Sequence, residues 1–306
     1  MPLSPNMRAA LFMTVSMAGF TVNDAITKYV SDAMNMGQVM LIRGAFATLL
    51  IALLAWRHGA LADMRQALQP LVLLRVACEA MATITFLVAL AHLPIANVSA
   101  VLQALPLAVT MGAALFYGET VGWRRWLSIA VGFVGVAIIV RPGLEGFSVY
   151  SLSVLVCVGF CTVRDLATKR IPENIPTLLV STMTAAAVTL CGVVLVQPMG
   201  GWSPPAAHDL VMIALAAGLL LVGYQFIIRA MRSGDVSFVA PFRYSSLVFA
   251  ILLGFLVFGD VPDLPMTVGS LIVVSSGLYM LYRERVVGRS KAASESVGPG
   301  MTPDGL

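Results

Sequence analysis

The chain has 306 residues, 59% of them apolar and 11% charged, with a mean hydropathy of +0.91. Soluble domains carry about 25% charged residues, so this composition excludes a soluble globular protein of similar length. The formal charge is +4, and no basic stretch interleaved with aromatics points to a nucleic-acid partner.

Ten apolar runs follow one another, each near the length that crosses about 30 Å of hydrocarbon as a helix. They are expected at 8–29, 37–56, 71–92, 97–117, 123–140, 149–169, 176–196, 208–230, 236–258 and 264–282. The first carries Asn23 and Asp24 and shows no clear small-residue cleavage site, so it reads as a retained helix and not a signal peptide. Connections such as "HLPIAN", "GETVGW" and "RPGLEGFS" leave no room for a soluble domain. The last stretch, 283–306, is small, polar and rich in Pro and Gly, and is expected to be a disordered cytoplasmic tail.

With the N-terminus in the cytoplasm, thirteen of the nineteen Lys and Arg residues fall at cytoplasmic ends or loops. Only Lys28 and Arg141 fall outside, and Arg43, Arg75, Arg164 and Arg243 lie within helices. This bias predicts both termini in the cytoplasm. The net charge is then a consequence of topology.

The first run ends in "TVNDAITK" (21–28) and the sixth in "TVRDLATK" (162–169), identical at five of eight positions. "FLVALAHLPIANVSA" (86–100) lies over "FIIRAMRSGDVSFVA" (226–240), and "ALFYGE" (114–119) over "FLVFGD" (255–260). Five spans separate the copies, so the halves 1–145 and 146–282 must point in opposite directions. The expected fold is all-α: ten transmembrane helices in two inverted five-helix repeats, an architecture of secondary transporters.

These features, with Arg43 early in the second helix ("LIRGAF") and the endings "FYGE" and "VFGD", resemble the drug/metabolite transporter superfamily. More closely, they resemble its EamA-type ten-helix bacterial members, over about residues 8 to 282. The resemblance implies movement of a small organic metabolite across the bacterial inner membrane. "VAPFRYSSLVFAILLGFLVFGDVP" is similar to a branch that includes proteins linked to riboflavin or S-adenosylmethionine transport. The chain departs from the pattern at "FGD", where Glu is commoner, and Ser181 occupies the place matching Arg43.

An ionisable group in a bilayer costs about 2.5–3.5 kcal/mol even on the lenient insertion scale, so each needs a partner or a wet cavity. Asp24 and Arg43 lie about 8 and 9 Å below one membrane face on helices joined by a short loop, so they are expected to meet. Lys28, one turn beyond Asp24, is expected to share its carboxylate. Arg164, Asp165 and Lys169 form the matching cluster in the second half. Such clusters serve either as structural ties or as gates. Near the midplane, Glu79 is expected to neighbour Arg243, and Arg75 to snorkel toward the interface. Glu79 is also the candidate carrier of coupling protons.

Pro106 and Pro241 interrupt the fourth span of each half, at corresponding positions, which points to a binding site there. The substrate-binding candidates are therefore Glu79, Gln103, Tyr224, Gln225, Arg243 and Tyr244, with Asn23 as a further hydrogen-bonding group. Phe86, Phe226 and Phe242 are available to stack on a planar heterocycle. Cys78, Cys157, Cys161 and Cys191 read as small buried residues, and no metal, cofactor or nucleotide-binding motif is present. Expected partners are a small-molecule substrate, lipid and protons, with a homodimer left open. The leading function is a secondary transporter of riboflavin or a similar heterocycle, not an enzyme. S-adenosylmethionine uptake, amino-acid or drug efflux, and an intramembrane enzyme acting on lipid-linked substrates are the alternatives.

Overall fold

A computed structural model describes residues 4–61, 64–143, 146–172, 174–233 and 236–287. Its elements in the first half are α1 (Pro5–Val30), α2 (Met36–Arg57), α3 (Pro70–His92), α4 (Ile95–Leu102), α5 (Leu105–Tyr117) and α6 (Trp123–Val140). The second half holds α7 (Val149–Arg170), α8 (Thr177–Val196), α9 (Ala207–Ser233), α10 (Val236–Val239), α11 (Ser245–Phe258) and α12 (Leu264–Val287). Two short 3-10 stretches, Met64–Leu68 and Ala240–Tyr244, complete them, and no strand occurs among the described residues.

Among the described residues, ten segments are long and apolar enough to cross a membrane, α4 with α5 making one (Ile95–Tyr117) and the second 3-10 stretch with α11 another (Ala240–Phe258). The chain is a multi-pass membrane protein. Span bounds follow the apolar runs, with two differences. The ninth span begins at Ala240 because α10 is a separate turn, and α12 continues to Val287, five residues beyond its expected end at 282. The rest of the expected tail lies outside the described residues.

Local chemistry explains the breaks. Pro106 has no N–H to offer the Leu102 carbonyl, and the helix is interrupted at Gln103–Ala104. Pro241 lies inside the 3-10 stretch of the ninth span. Gly118 and Gly259 end α5 and α11 with φ of 65° and 69°. Glycine reaches that left-handed region without strain, which accounts for its place in both "FYGE" and "VFGD".

The packing is symmetric under exchange of the halves: α1 lies on α9 and α3 on α7, while α2 faces α8 and α6 faces α12. Lipid is as apolar as leucine, so helix pairing in a bilayer relies on close approach. A Cβ on Gly37 would stand 2.7 Å from the Leu195 carbonyl carbon, and one on Gly192 would stand 2.5 Å from the Leu41 nitrogen. These two glycines let α2 and α8 touch backbone to backbone. Leu49, Phe116, Val194 and Leu256 project outward, whereas Arg75 and Arg164 are among the largest fully buried side chains. We call the membrane face that carries the α1–α2 turn the upper face.

Candidate functional site

Two cavities of about 150 Å³ each lie between the halves. The upper one is bounded by α1, α3, the broken α4–α5 span, and the 3-10 stretch with α11; it is lined by Asp24, Phe86, Gln103, Arg243 and Tyr244, among others. The lower one lies among α2, α3, α8 and α9 and is lined by Arg75, Glu79, Ser181, Tyr224 and Gln225. Arg43, Thr83 and Leu220 border both. The six substrate-binding candidates therefore divide: Gln103, Arg243 and Tyr244 above, Glu79, Tyr224 and Gln225 below. Pro106 lines the upper cavity, and the two interrupted spans meet beside it, where the Gln103 amide donates to Ser246 Oγ at 2.7 Å.

Charge pairing differs from the expectation at several points. Glu79 pairs with Arg164, Oε2 to Nη1 at 3.0 Å, and both are essentially inaccessible. Arg164 also binds Asp165, with Nε to Oδ1 at 2.7 Å and Nη2 to Oδ1 at 2.6 Å. The expected Glu79–Arg243 pairing gives way to Glu79–Arg164, while Asp165 is the carboxylate whose charge acts on Arg243. Arg75 does not snorkel. It is buried, donating from Nε to Thr168 Oγ1 at 3.1 Å and from Nη1 to Thr184 Oγ1 at 2.6 Å. This cluster ties α3 to α7 and α8.

Around the upper cavity the pattern is looser. Asp24 accepts a hydrogen bond from Asn23 Nδ2 at 2.9 Å. Arg43 feels Asp24 but makes no nitrogen–oxygen contact with it within 4.0 Å. Its guanidinium turns to Thr27 Oγ1, 3.4 Å away. Lys28 does not share the Asp24 carboxylate. Its ammonium donates to the carbonyls of Leu90 and Leu93 at 2.9 and 2.6 Å, at the electronegative end of α3, and lies 5.5 Å from the Phe258 ring. Lys169, its counterpart in the second half, forms an ion pair with Glu119 at the lower face.

Among the three phenylalanines offered for stacking, Phe86 lines a cavity. Phe226 packs on Phe12 and Phe242 on Phe238, with ring centroids 5.6 and 5.8 Å apart. Tyr224 meets Phe20 edge-on at 5.4 Å. The Tyr244 hydroxyl is buried against Gly277 without a hydrogen-bond partner. Thr83 and Leu220 carry no sequence signal for their place between the cavities. Thr168 does, because the repeat writes Thr27 at the same position. No group of three or more His, Cys, Asp or Glu able to hold a metal occurs among the described residues.

Comparison with known proteins agrees with this architecture. The "S-adenosylmethionine uptake transporter" of Rickettsia felis is 24% identical, over 89% of this chain and 91% of that protein. The "Riboflavin transporter" of Vibrio cholerae is 28% identical over 88% and 91%. The "Pseudopaline exporter CntI" of Pseudomonas aeruginosa is 29% identical over 83% and 89%. A crystal structure at 18% identity shares the fold, with a TM-score of 0.62 over 91% of this chain and 98% of the other. The EamA-like transporter family model matches twice, at residues 7–141 and 149–283, and together the two matches cover most of the chain: it belongs to the EamA-like transporter family.

Proposed function

We propose that this protein is a secondary transporter of a small organic metabolite, working by alternating access, with the substrate held where the two cavities meet. The observation that carries this reading is an inequality between equivalent ion pairs. Lys169 and Glu119 are joined at the lower face, while their counterparts Lys28 and Asp260 at the upper face are not, Lys28 being bound to α3 carbonyls instead. Two equivalent locks in different states within one molecule are what rocking between two conformations requires. In the opposite conformation Lys28 closes on Asp260 and Lys169 releases Glu119. The moving bodies are residues 1–145 and 146–282, and one chain supplies both, so a homodimer is not required.

The positive-inside bias supports an inner-membrane location with both termini in the cytoplasm and the upper face outward. Glu79, expected to carry coupling protons, is held by Arg164, and we assign it to the scaffold. The family and the transporter names of its relatives favour transport over an enzymatic role. The cargo is a heterocyclic metabolite, and the aromatic residues Phe86 and Tyr244 line the upper cavity; riboflavin is the sequence-based choice and S-adenosylmethionine its rival. Counterflow in proteoliposomes tests the reading. Exchange of labelled riboflavin, S-adenosylmethionine or an amino acid is expected, and no exchange of any of them would overturn it.

A further inference from the structure

The charged groups between the halves fall into two classes by how completely they are satisfied. Glu79, Arg164, Asp165 and Arg75 are engaged with one another or with nearby threonine hydroxyls. Arg43 is different. It carries five N–H donors, and its only hydrogen bond, to Thr27, is 3.4 Å long, beyond the usual 2.7–3.2 Å for such bonds. Asp24 has one hydrogen bond, from Asn23, made to Oδ1. Both side chains line the upper cavity, and Arg43 also lines the lower one.

An apolar bilayer makes unused charge costly, so a cation and an anion held apart across a cavity call for a molecule that meets both. We infer that Arg43 and Asp24 anchor an amino-acid-type zwitterion, the ligand carboxylate on Arg43 and its ammonium on Asp24. The two side chains are not in ion-pair contact with each other, and both line the upper cavity, so a molecule carrying both charges can be received between them. Guanidinium is suited to this role because its planar fork matches a carboxylate. Arg43 borders both cavities, so the carboxylate is reachable from either face as the halves rock. The inference rests on the transporter reading and sharpens its cargo. Among the candidate cargoes it ranks S-adenosylmethionine, which carries a zwitterion beside its heterocycle, above riboflavin, which does not.

The test uses the full-length protein in detergent and a ligand series that removes one charge at a time. The probes are S-adenosylmethionine and the standard amino acids, the amides and N-acetyl derivatives of those that bind, 5′-methylthioadenosine, and riboflavin. A thermal shift is expected with one or more zwitterions. Neutralising either end should weaken binding about tenfold to a hundredfold, the scale of a lost charge-assisted hydrogen bond. Arg43→Gln should abolish the distinction between an amino acid and its amide, and Asp24→Asn that between an amino acid and its N-acetyl form. The second variant is isosteric and guards against a misfolded first. Equal binding of zwitterion and neutral forms, binding of riboflavin alone, or silence from every zwitterion would overturn the anchor. Strict zwitterion dependence without counterflow would instead remove the transporter and leave the anchor; counterflow of neutral solutes would do the reverse.

Discussion

The sequence writes T-V-x-D-x-x-T-K at the end of both α1 and α7, yet the two copies finish in opposite conditions. In α7, Asp165 is bound by Arg164 beside it, Arg164 also holds Glu79, and Thr168 receives Arg75. In α1, Asn23 stands where Arg164 does, Thr27 receives the long bond from Arg43, and Asp24 faces a cavity. The residue before the aspartate differs, and so do the surroundings of the carboxylate: a bound arginine in α7, a neighbouring asparagine and a cavity in α1. A duplicated motif can thus supply a brace in one half and a recognition element in the other.

The sharpest way to break this comparison is to remove one carboxylate from each region. Glu79→Gln leaves buried Arg164 short of a counter-charge and should cost about 3–5 kcal/mol, the range for halving a buried ion pair. Asp24→Asn should cost less than about 1 kcal/mol, because no close pair is broken. Unfolding in detergent reads both, and equal losses would dissolve the distinction between brace and recognition element.

A transplant sharpens it further. Asn23→Arg gives Asp24 the partner that Asp165 already has, with the upper cavity available for the longer side chain. The variant should stay folded and lose ligand affinity about tenfold or more. Unchanged affinity would show that Asp24 takes no part in recognition.

Smaller effects concern the faces. Lys169 and Glu119 are partly exposed, and exposed pairs contribute at most about 1 kcal/mol, so Glu119→Gln should shift the conformational balance by no more than about fivefold. Relative labelling of Ser99→Cys and Ser181→Cys, which line the upper and lower cavities, reports that shift. Labelling at Ser181 should rise as the lower face opens.

The smallest effect belongs to Asp263, at the upper face outside the membrane-spanning segments. The hydrogen bond from Arg141, joined by the Met266 N–H, holds its carboxyl below the usual carboxylate range against a modest opposing effect of burial. A lowered folded-state value means that the contribution is complete above about pH 3.9, the value for a free aspartate. It is lost as pH falls through the lowered value. Asp263→Asn should therefore cost at most about 1 kcal/mol near neutrality, and the difference from the parent should vanish in acid. A constant difference across pH would assign the contribution to the helix cap alone.

Much of the frame was legible in the residues. Apolar run length set the ten spans, Pro106 and Pro241 marked the two interruptions, and the repeat with its odd spacing required opposed halves. Pairing was less legible. Depth arithmetic brought Glu79 and Arg243 to a similar level and gave no azimuth around their helices, so Arg164, turned inward from α7, took Glu79 instead. Lys28 shows the same limit. It lies one turn from Asp24 on α1, but a long flexible amine finds the free carbonyls ending α3 more readily than a carboxylate set deeper.

The sequence by itself determined which segments enter the bilayer, how many there are and that the second half inverts the first, because those follow from local hydrophobic length and chain order. Only the tertiary structure decided which charges are spent on one another and which remain open to a cavity. Partner choice in a low-dielectric interior depends on rotation and approach of helices distant in the chain, and hydrophobic length carries no information about either.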